Sequence, residues 1–295
     1  MRHLLGTLFV TTESAYLTLD GENVVVKNEG EELGRLPLHT LESIVSFTYA
    51  GASPALMGAC AERHVALSFL TPTGRFLARS CGRSQGNVLL RRIQYRGADQ
   101  VEIACLVARN FIFGKVYNGR WVIERTLRDH ALRVDEAGLR SASQKLHDAL
   151  PAIANAETPG ELLGLEGAAA AVYFGVFDEL ILNRKDAFFF HGRSRRPPLD
   201  NVNALLSFTY TLLASDCAAA LEAVGLDSYV GFFHRDRPGR SSLALDLMEE
   251  LRPCLAERFV LSLINTKALA SADFIRRENG AVVLTDSARR TLLKA

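Results

Sequence analysis

Over roughly the first 80 residues, apolar and polar positions alternate in short runs. LLGTLFVT, AYLTLDG, NVVVKN, RLPLHT, ESIVSF, VALSFLT and RFLARS each read as a strand with one buried face. Asp20-Gly21 between two of these runs predicts a hairpin turn. One helical stretch interrupts the alternation. Ser53 as N-cap and Pro54 at the first helical position precede ALMGACAERH. Strands separated by turns predict a small β-sandwich-like module of two sheets.

The period changes after CGRSQGN, residues 81–87, a glycine-, serine- and polar-rich segment that predicts a linker. ADQVEIACLVARNFIFGKVYNGRWVIERTL reads as two helices or one broken helix. Further helical runs are ASQKLHDALPAIANA, ELLGLEGAAAAVYFGVFDELI, NALLSFTYTLLASDCAAALEAVG and SLALDLMEELRPCLAERFVLSLI. Thr158-Pro159 opens the second of them as an N-cap followed by proline. A late alternating pair, ADFIRRENGAVVLTD, carries the hairpin signal Asn279-Gly280, and Thr285 is placed to cap a last short helix. The expected fold class is α+β: a β-sandwich-like N-terminal domain over residues 1–84, then an all-α domain over 85–295.

Composition narrows the classes of function. Hydrophobic residues make up 48% and charged residues 23%, enough for a sizeable core. The net charge of +1 means that nucleic-acid binding would rest on local basic clusters. The five cysteines are spread out with no C-x-x-C, which disfavours a disulfide framework or a cysteine zinc site and suits a reducing cytoplasm. MRHLLGTLFVTTES alternates like a strand and has no signal-peptide cleavage pattern. No apolar run reads as long enough to span a bilayer, so no membrane partner is expected. Walker A, G-x-G-x-x-G, H-E-x-x-H and G-x-S-x-G patterns are all missing.

Four places could carry chemistry. In GFFHRDRPGRSSLALDLMEELRP, Leu243, Leu247, Met248 and Leu251 share one face of a helix, with Asp246, Glu249 and Glu250 on the other. Asp246 and Glu249 are three residues apart, so their like charges approach unless a cation, or Arg252, offsets them. The alternative is a plain solvated acidic stripe. His234 lies in the basic loop just before this helix and is either structural or a ligand. Glu166, in GLLGLEGAAAAVYFGVF, sits among glycines and alanines that let a helix or a ligand come close. It is either exposed at a helix edge or buried beside an arginine or a cation. RKDAFFFHGRSRRPPLDNVN clusters Arg184, Lys185, Arg193, Arg195 and Arg196 with phenylalanines, which suits phosphate contact with stacking, or a solvated loop with a phenylalanine plug. RFLARSCGRSQGNVLLRRIQYR adds Arg75, Arg79, Arg83, Arg91, Arg92 and Arg96 around the linker, where a groove could form.

GLEGAAAAVYF, RRPPLDNVNALLSFTYTLL and GFFHRDRPGRSSLALDLMEELRP, in that order, resemble the CRISPR-associated adaptation integrase, the first of the numbered Cas proteins, in its type I-C branch. The resemblance runs along essentially the whole chain. It implies a β-rich domain for homodimerisation and a helical catalytic domain. It implies a metal-dependent DNA endonuclease and integrase that inserts spacers into a CRISPR array by 3′-OH transesterification. The implied partners are double-stranded protospacer and repeat DNA, a second copy of the chain, and the small dimeric second numbered Cas protein. The implied metal ligands are Glu166, His234 and Glu249, with Asp246 counted beside them in the catalytic set. Two carboxylates and an imidazole suit Mn2+ or Mg2+. Arg184, Lys185, Arg193, Arg195, Arg196, Arg83, Arg91 and Arg92 are the expected DNA contacts. Tyr173 could be read as a covalent nucleophile, although packing or DNA contact suits it better. Relatives of this branch usually continue past the helix near Ser287, whereas this chain stops at Ala295, which suggests either a shortened chain or a short member. A non-catalytic DNA-binding scaffold and a metal-dependent phosphatase for small substrates are the alternative readings.

Overall fold

The structure is a computed structural model that describes residues 6–82 and 87–295. Two compact units divide between Asn87 and Val88, with Ala223–Gly225 grouped with the first. The expected boundary at 84/85 lies outside the described residues, and so does Arg83.

The first unit contains β1 (Thr7–Val10), β2 (Tyr16–Asp20), β3 (Asn23–Asn28), β4 (Glu31–Pro37), β5 (Ser43–Ser46), α1 (Pro54–Glu62), β6 (Ala66–Leu70) and β7 (Phe76–Ser80). β2, β3 and β4 form an antiparallel sheet. The β3–β4 turn places Glu29 and Gly30 both at positive φ (50° and 88°), the conformation a two-residue hairpin loop favours. RLPLHT does not form a strand of its own. Arg35–Pro37 finish β4, and Leu38–Thr40 turn into a 3₁₀ segment after the proline, which has no N–H for the ladder.

The other sheet runs β1-β5-β6-β7, with β1, β5 and β6 parallel and β7 antiparallel. Two sheets around one core fit the sandwich-like expectation, and the parallel pairs are the difference, because plain sandwiches are antiparallel throughout. Alternation reveals that strands exist but not their direction. Parallel neighbours need a crossover, and α1 supplies it between β5 and β6, capped by Ser53, whose hydroxyl accepts from Leu56 N at 3.2 Å. Val10, Leu17, Val24, Ile44, Leu56 and Leu67 close one core between both sheets and the helix.

The second unit contains α2 (Val88–Ala98), α3 (Val101–His130), α4 (Glu136–Asn155), α5 (Pro159–Gly175), α6 (Asn201–Ala223), α7 (Ser242–Leu251), α8 (Arg258–Asn265), β8 (Phe274–Arg276), β9 (Val282–Leu284) and α9 (Asp286–Lys294). The β8–β9 hairpin, turned at Gly280 (φ 79°), is the late hairpin that Asn279-Gly280 predicts, set in an otherwise helical unit. α3 is one unbroken helix of 30 residues, glycines included. Those glycines are contact points. A Cβ on Gly119 would lie 3.4 Å from the Tyr173 ring, and one on Gly114 would lie 2.9 Å from Glu250 Cβ. Bringing α5 and α7 this close to α3 compensates for poor helix propensity.

α6 corrects a further expectation. By length and mean hydropathy it could cross a bilayer. Here it instead packs Leu205, Leu206, Phe208 and Cys217 into the unit's interior. Asp200 caps it, accepting from Asn203 N at 2.7 Å. Between α7 and α8 the chain widens into a π turn, Arg252–Glu257, because Pro253 cannot donate the regular helical bond.

Candidate functional site

The acids of α7 are not a solvated stripe. Asp246 is wholly buried and Glu249 is 3% exposed. Asp246 organises the preceding loop. Its Oδ2 accepts from Phe232 N (2.6 Å) and Phe233 N (2.9 Å), and its Oδ1 accepts from His234 N (2.9 Å). Oδ1 also lies 2.7 Å from His234 Nδ1. A carboxylate oxygen accepts here, so Nδ1 donates, and the neutral imidazole tautomer that fits keeps its lone pair on Nε2. Gly231 makes the loop possible, since a Cβ there would meet Ser242 Cβ at 2.7 Å and His234 O at 2.8 Å.

His234 Nε2 points towards Glu249, 3.8 Å from its Oε1. Glu166 arrives from α5, mostly buried, beside an open helix face: a Cβ on Gly164 or Gly167 would touch nothing within 4 Å. What joins Glu166 to Glu249 is Lys115 of α3. Its Nζ contacts Glu166 Oε1 and lies 2.6 Å from Glu249 Oε2. Arg252 Nη1 holds the other Glu249 oxygen at 3.2 Å. Burial works against charge on Glu249, but Arg252 and Lys115 outweigh it and hold the carboxyl below its ordinary range. Burial likewise opposes charge on Lys115, and Glu249 and Glu166 prevail, raising its pKa. The result is a mostly buried cluster in which Lys115 and Glu249 hold each other charged.

Behind it lies a second cluster. Arg252 and Arg193 each sit 5.1 Å from the centre of the Tyr210 ring. Tyr210 donates its hydroxyl to Glu257 Oε1. Glu257 is 2% exposed, and burial raises its pKa despite the tyrosines and Arg252 nearby. The Tyr173 hydroxyl is buried near Glu257 without a hydrogen bond of normal geometry, and burial holds its proton firmly. Tyr173 packs edge-on against Phe174 and Phe177, so the structure gives it a packing role.

Of the basic residues, Arg184, Lys185, Arg195 and Arg196 are exposed in the segment before α6, with Lys185 paired to Asp178 at 2.9 Å. Arg193 is different. It turns inward onto Tyr210 and donates to Asn203 Oδ1 at 2.6 Å. Arg91 and Arg92 lie on α2. Lys115 and Asn118, which donates to Glu250 O at 2.8 Å, do not stand out in the sequence. The available signal is a lysine set beside glycine in an apolar stretch of a helix, FIFGKVYNG.

Two carboxylates from separate helices and an imidazole nitrogen are a donor set that fits a divalent metal, and Lys115 already brings positive charge between the acids. Among the described residues, no three His, Cys, Asp or Glu side chains converge on one point as they stand, because Lys115 lies between Glu166 and Glu249. A β module followed by a mostly helical unit with a buried acid–imidazole cluster is a protein of the α+β class. The chain belongs to the Cas1 family: the profile of CRISPR associated protein Cas1 matches residues 8–295. It is 51% identical to CRISPR-associated endonuclease Cas1 2 of Rhodospirillum rubrum, over all of this chain and 86% of that protein. Its fold is similar to a casposase bound to integration product, with a TM-score of 0.82 at 25% identity over 98% of this chain and 81% of that one. It is also similar to a chain of a Cas6-RT-Cas1–Cas2 complex, with a TM-score of 0.78 at 26% identity over 98% of this chain and 31% of that one.

Proposed function

We propose that this protein is a metal-dependent DNA endonuclease and integrase that inserts new spacer DNA into a CRISPR array in the cytoplasm. The observation that carries the chemistry is that Glu166 and Glu249, from separate helices, meet at Lys115, with His234 Nε2 3.8 Å from Glu249 Oε1. Names among the relatives, an endonuclease and a casposase with its integration product, support the reaction class.

Glu166, Glu249 and His234 would hold Mn2+ or Mg2+. When bound, such an ion polarises the phosphodiester and stabilises charge built up as phosphorus is attacked. The chain's own residues do the rest. Asp246 acts on His234: it fixes the ring's orientation and, in the neutral imidazole, favours the tautomer that turns the Nε2 lone pair towards Glu249. Arg252 holds Glu249 ionised and in place. The bond exchange is a direct transesterification. The spacer 3′ oxygen forms a new bond to a repeat phosphorus, and the bond to the repeat's own 3′ oxygen breaks, so no protein–DNA bond forms. Tyr173, buried and firmly protonated, is no candidate for such a bond.

Exposed Arg184, Lys185, Arg195 and Arg196 would take duplex phosphates, with Arg91 and Arg92 of α2 adding to them. Arg193 is reassigned from DNA contact to support of Tyr210. The second copy and the second numbered Cas protein remain the proposed partners, the latter in line with the Cas1–Cas2 complex among similar structures. The test is strand transfer of a short duplex with a free 3′-OH into a CRISPR repeat, with and without Mn2+. Metal-dependent transfer that Glu166→Gln abolishes supports the reading. DNA binding without transfer would leave a scaffold, and hydrolysis of nucleotides without action on duplex would leave a phosphatase.

A further inference from the structure

Glu166 and Glu249 belong to different helices, and each is largely withdrawn from water. Two carboxylates brought together in such surroundings repel, and a charged group buried without a partner is strongly disfavoured. Something positive must therefore hold them before any metal arrives. Arg252 cannot do this alone. It reaches Glu249 Oε1, and its guanidinium lies over the Tyr210 ring. Lys115 is the cation that touches both acids. Its ammonium takes the position between them, and Glu249 Oε2 has no partner of normal hydrogen-bond geometry beyond this ion pair.

From this geometry we propose that Lys115 is a positioning residue. It is an internal counter-ion that holds Glu166 and Glu249 together while no divalent cation is bound, and it gives up that place when one binds. The inference rests on the metal-site reading above. A lysine suits this role, because its point charge rides on a flexible four-carbon stem and can swing aside, whereas the planar guanidinium of Arg252 is fixed by its fork and its ring contact. Two cations thus have separate duties. Arg252 supports Glu249 permanently, and Lys115 serves until metal binds. The same arrangement accounts for the lack of a ready-made three-ligand group among the described residues. It also has a thermodynamic consequence, since a metal ion that must displace Lys115 binds less tightly than one entering a site without it.

The test uses the full chain. Mn2+ binding is followed by the loss of the free-ion electron paramagnetic resonance signal, and thermal unfolding is recorded with and without Mn2+. In Lys115→Met the metal-free melting temperature should fall by about 5 °C or more. Its Mn2+ affinity should rise about tenfold or more, and the Mn2+-induced rise in melting temperature should exceed the parent's. Lys115→Arg, which keeps the charge, should restore much of the metal-free stability without the gain in affinity. Lys115→Gln, neutral but still a donor, carries the affinity test if the methionine variant does not fold. Mn2+ affinity unchanged or weakened in the neutral variants overturns this inference alone. No Mn2+ binding by parent or variants overturns it together with the metal reading.

Discussion

Glu249 lies just before the π turn and Glu257 ends it, and the two are buried to nearly the same degree, yet their surroundings differ. Glu249 is met by Lys115, Arg252 and the His234 imidazole, and its carboxyl is held ionised. Glu257 is met chiefly by the Tyr210 and Tyr173 phenols, and burial raises its pKa. Burial alone therefore does not mark a functional acid. What separates them is the sign and number of the charges around each, which fits one to hold a cation and the other to join a packed polar core.

The largest effects should come from exchanging each acid for its amide. Glu249→Gln should reduce strand transfer by on the order of 10²–10³-fold or more, and Glu257→Gln should stay within about tenfold of the parent in the same assay. Comparable losses from both would erase the contrast. Asp246→Asn should fall between them, with a loss of about 10–100-fold, because it disturbs His234 without removing a proposed ligand.

Stability against pH sharpens the comparison. The Glu249 carboxyl has a folded pKa below its unfolded value near 4.5, so its contribution is present above that pH and is lost as pH falls towards the folded value. Without metal, Glu249→Gln should cost about 3 kcal/mol at pH 7, with a deficit that narrows in acid. Glu257 behaves in the opposite sense. Its folded pKa is raised, so the stabilisation from its protonated form is present below pH 4.5 and is lost as pH rises through the folded pKa. Glu257→Gln should change stability by no more than about 1 kcal/mol and should gain on the parent as pH rises from 4.5. Melting curves between pH 4 and 8 read both trends.

The smallest effect should lie outside both clusters. Arg195→Ala with Arg196→Ala should weaken duplex binding and lower the salt dependence by about two counterions, with Mn2+ binding untouched. Unchanged DNA affinity at low salt would remove these arginines from the proposed contact set.

Much of this is legible in the chain. Ser53, Thr158 and Thr285 cap the helices that their sequence context assigns to them, and Asn279-Gly280 turns the late hairpin. Local signals of this kind act within a few residues, so sequence carries them directly. The structure joins Glu166 to Glu249 through Lys115 and sets His234 Nε2 3.8 Å from Glu249 Oε1, while the ligand role of these three residues remains the proposal drawn from the resemblance. Lys115 does not stand out in the chain because its meaning depends on α5 and α7 arriving beside α3, which no spacing within α3 encodes. Arg193 looks like its exposed neighbours in sequence because only the fold turns it onto Tyr210. The acidic stripe of α7 is ambiguous for the same reason, since helical periodicity places Asp246 and Glu249 on a face but does not say what covers it.

The most direct measurement is anomalous diffraction from crystals of the full chain grown or soaked with Mn2+. The account predicts one strong peak within about 2.0–2.6 Å of a Glu166 oxygen, a Glu249 oxygen and His234 Nε2, with Lys115 moved off both carboxylates. A peak elsewhere, or saturating Mn2+ with Lys115 still between Glu166 and Glu249, would contradict it.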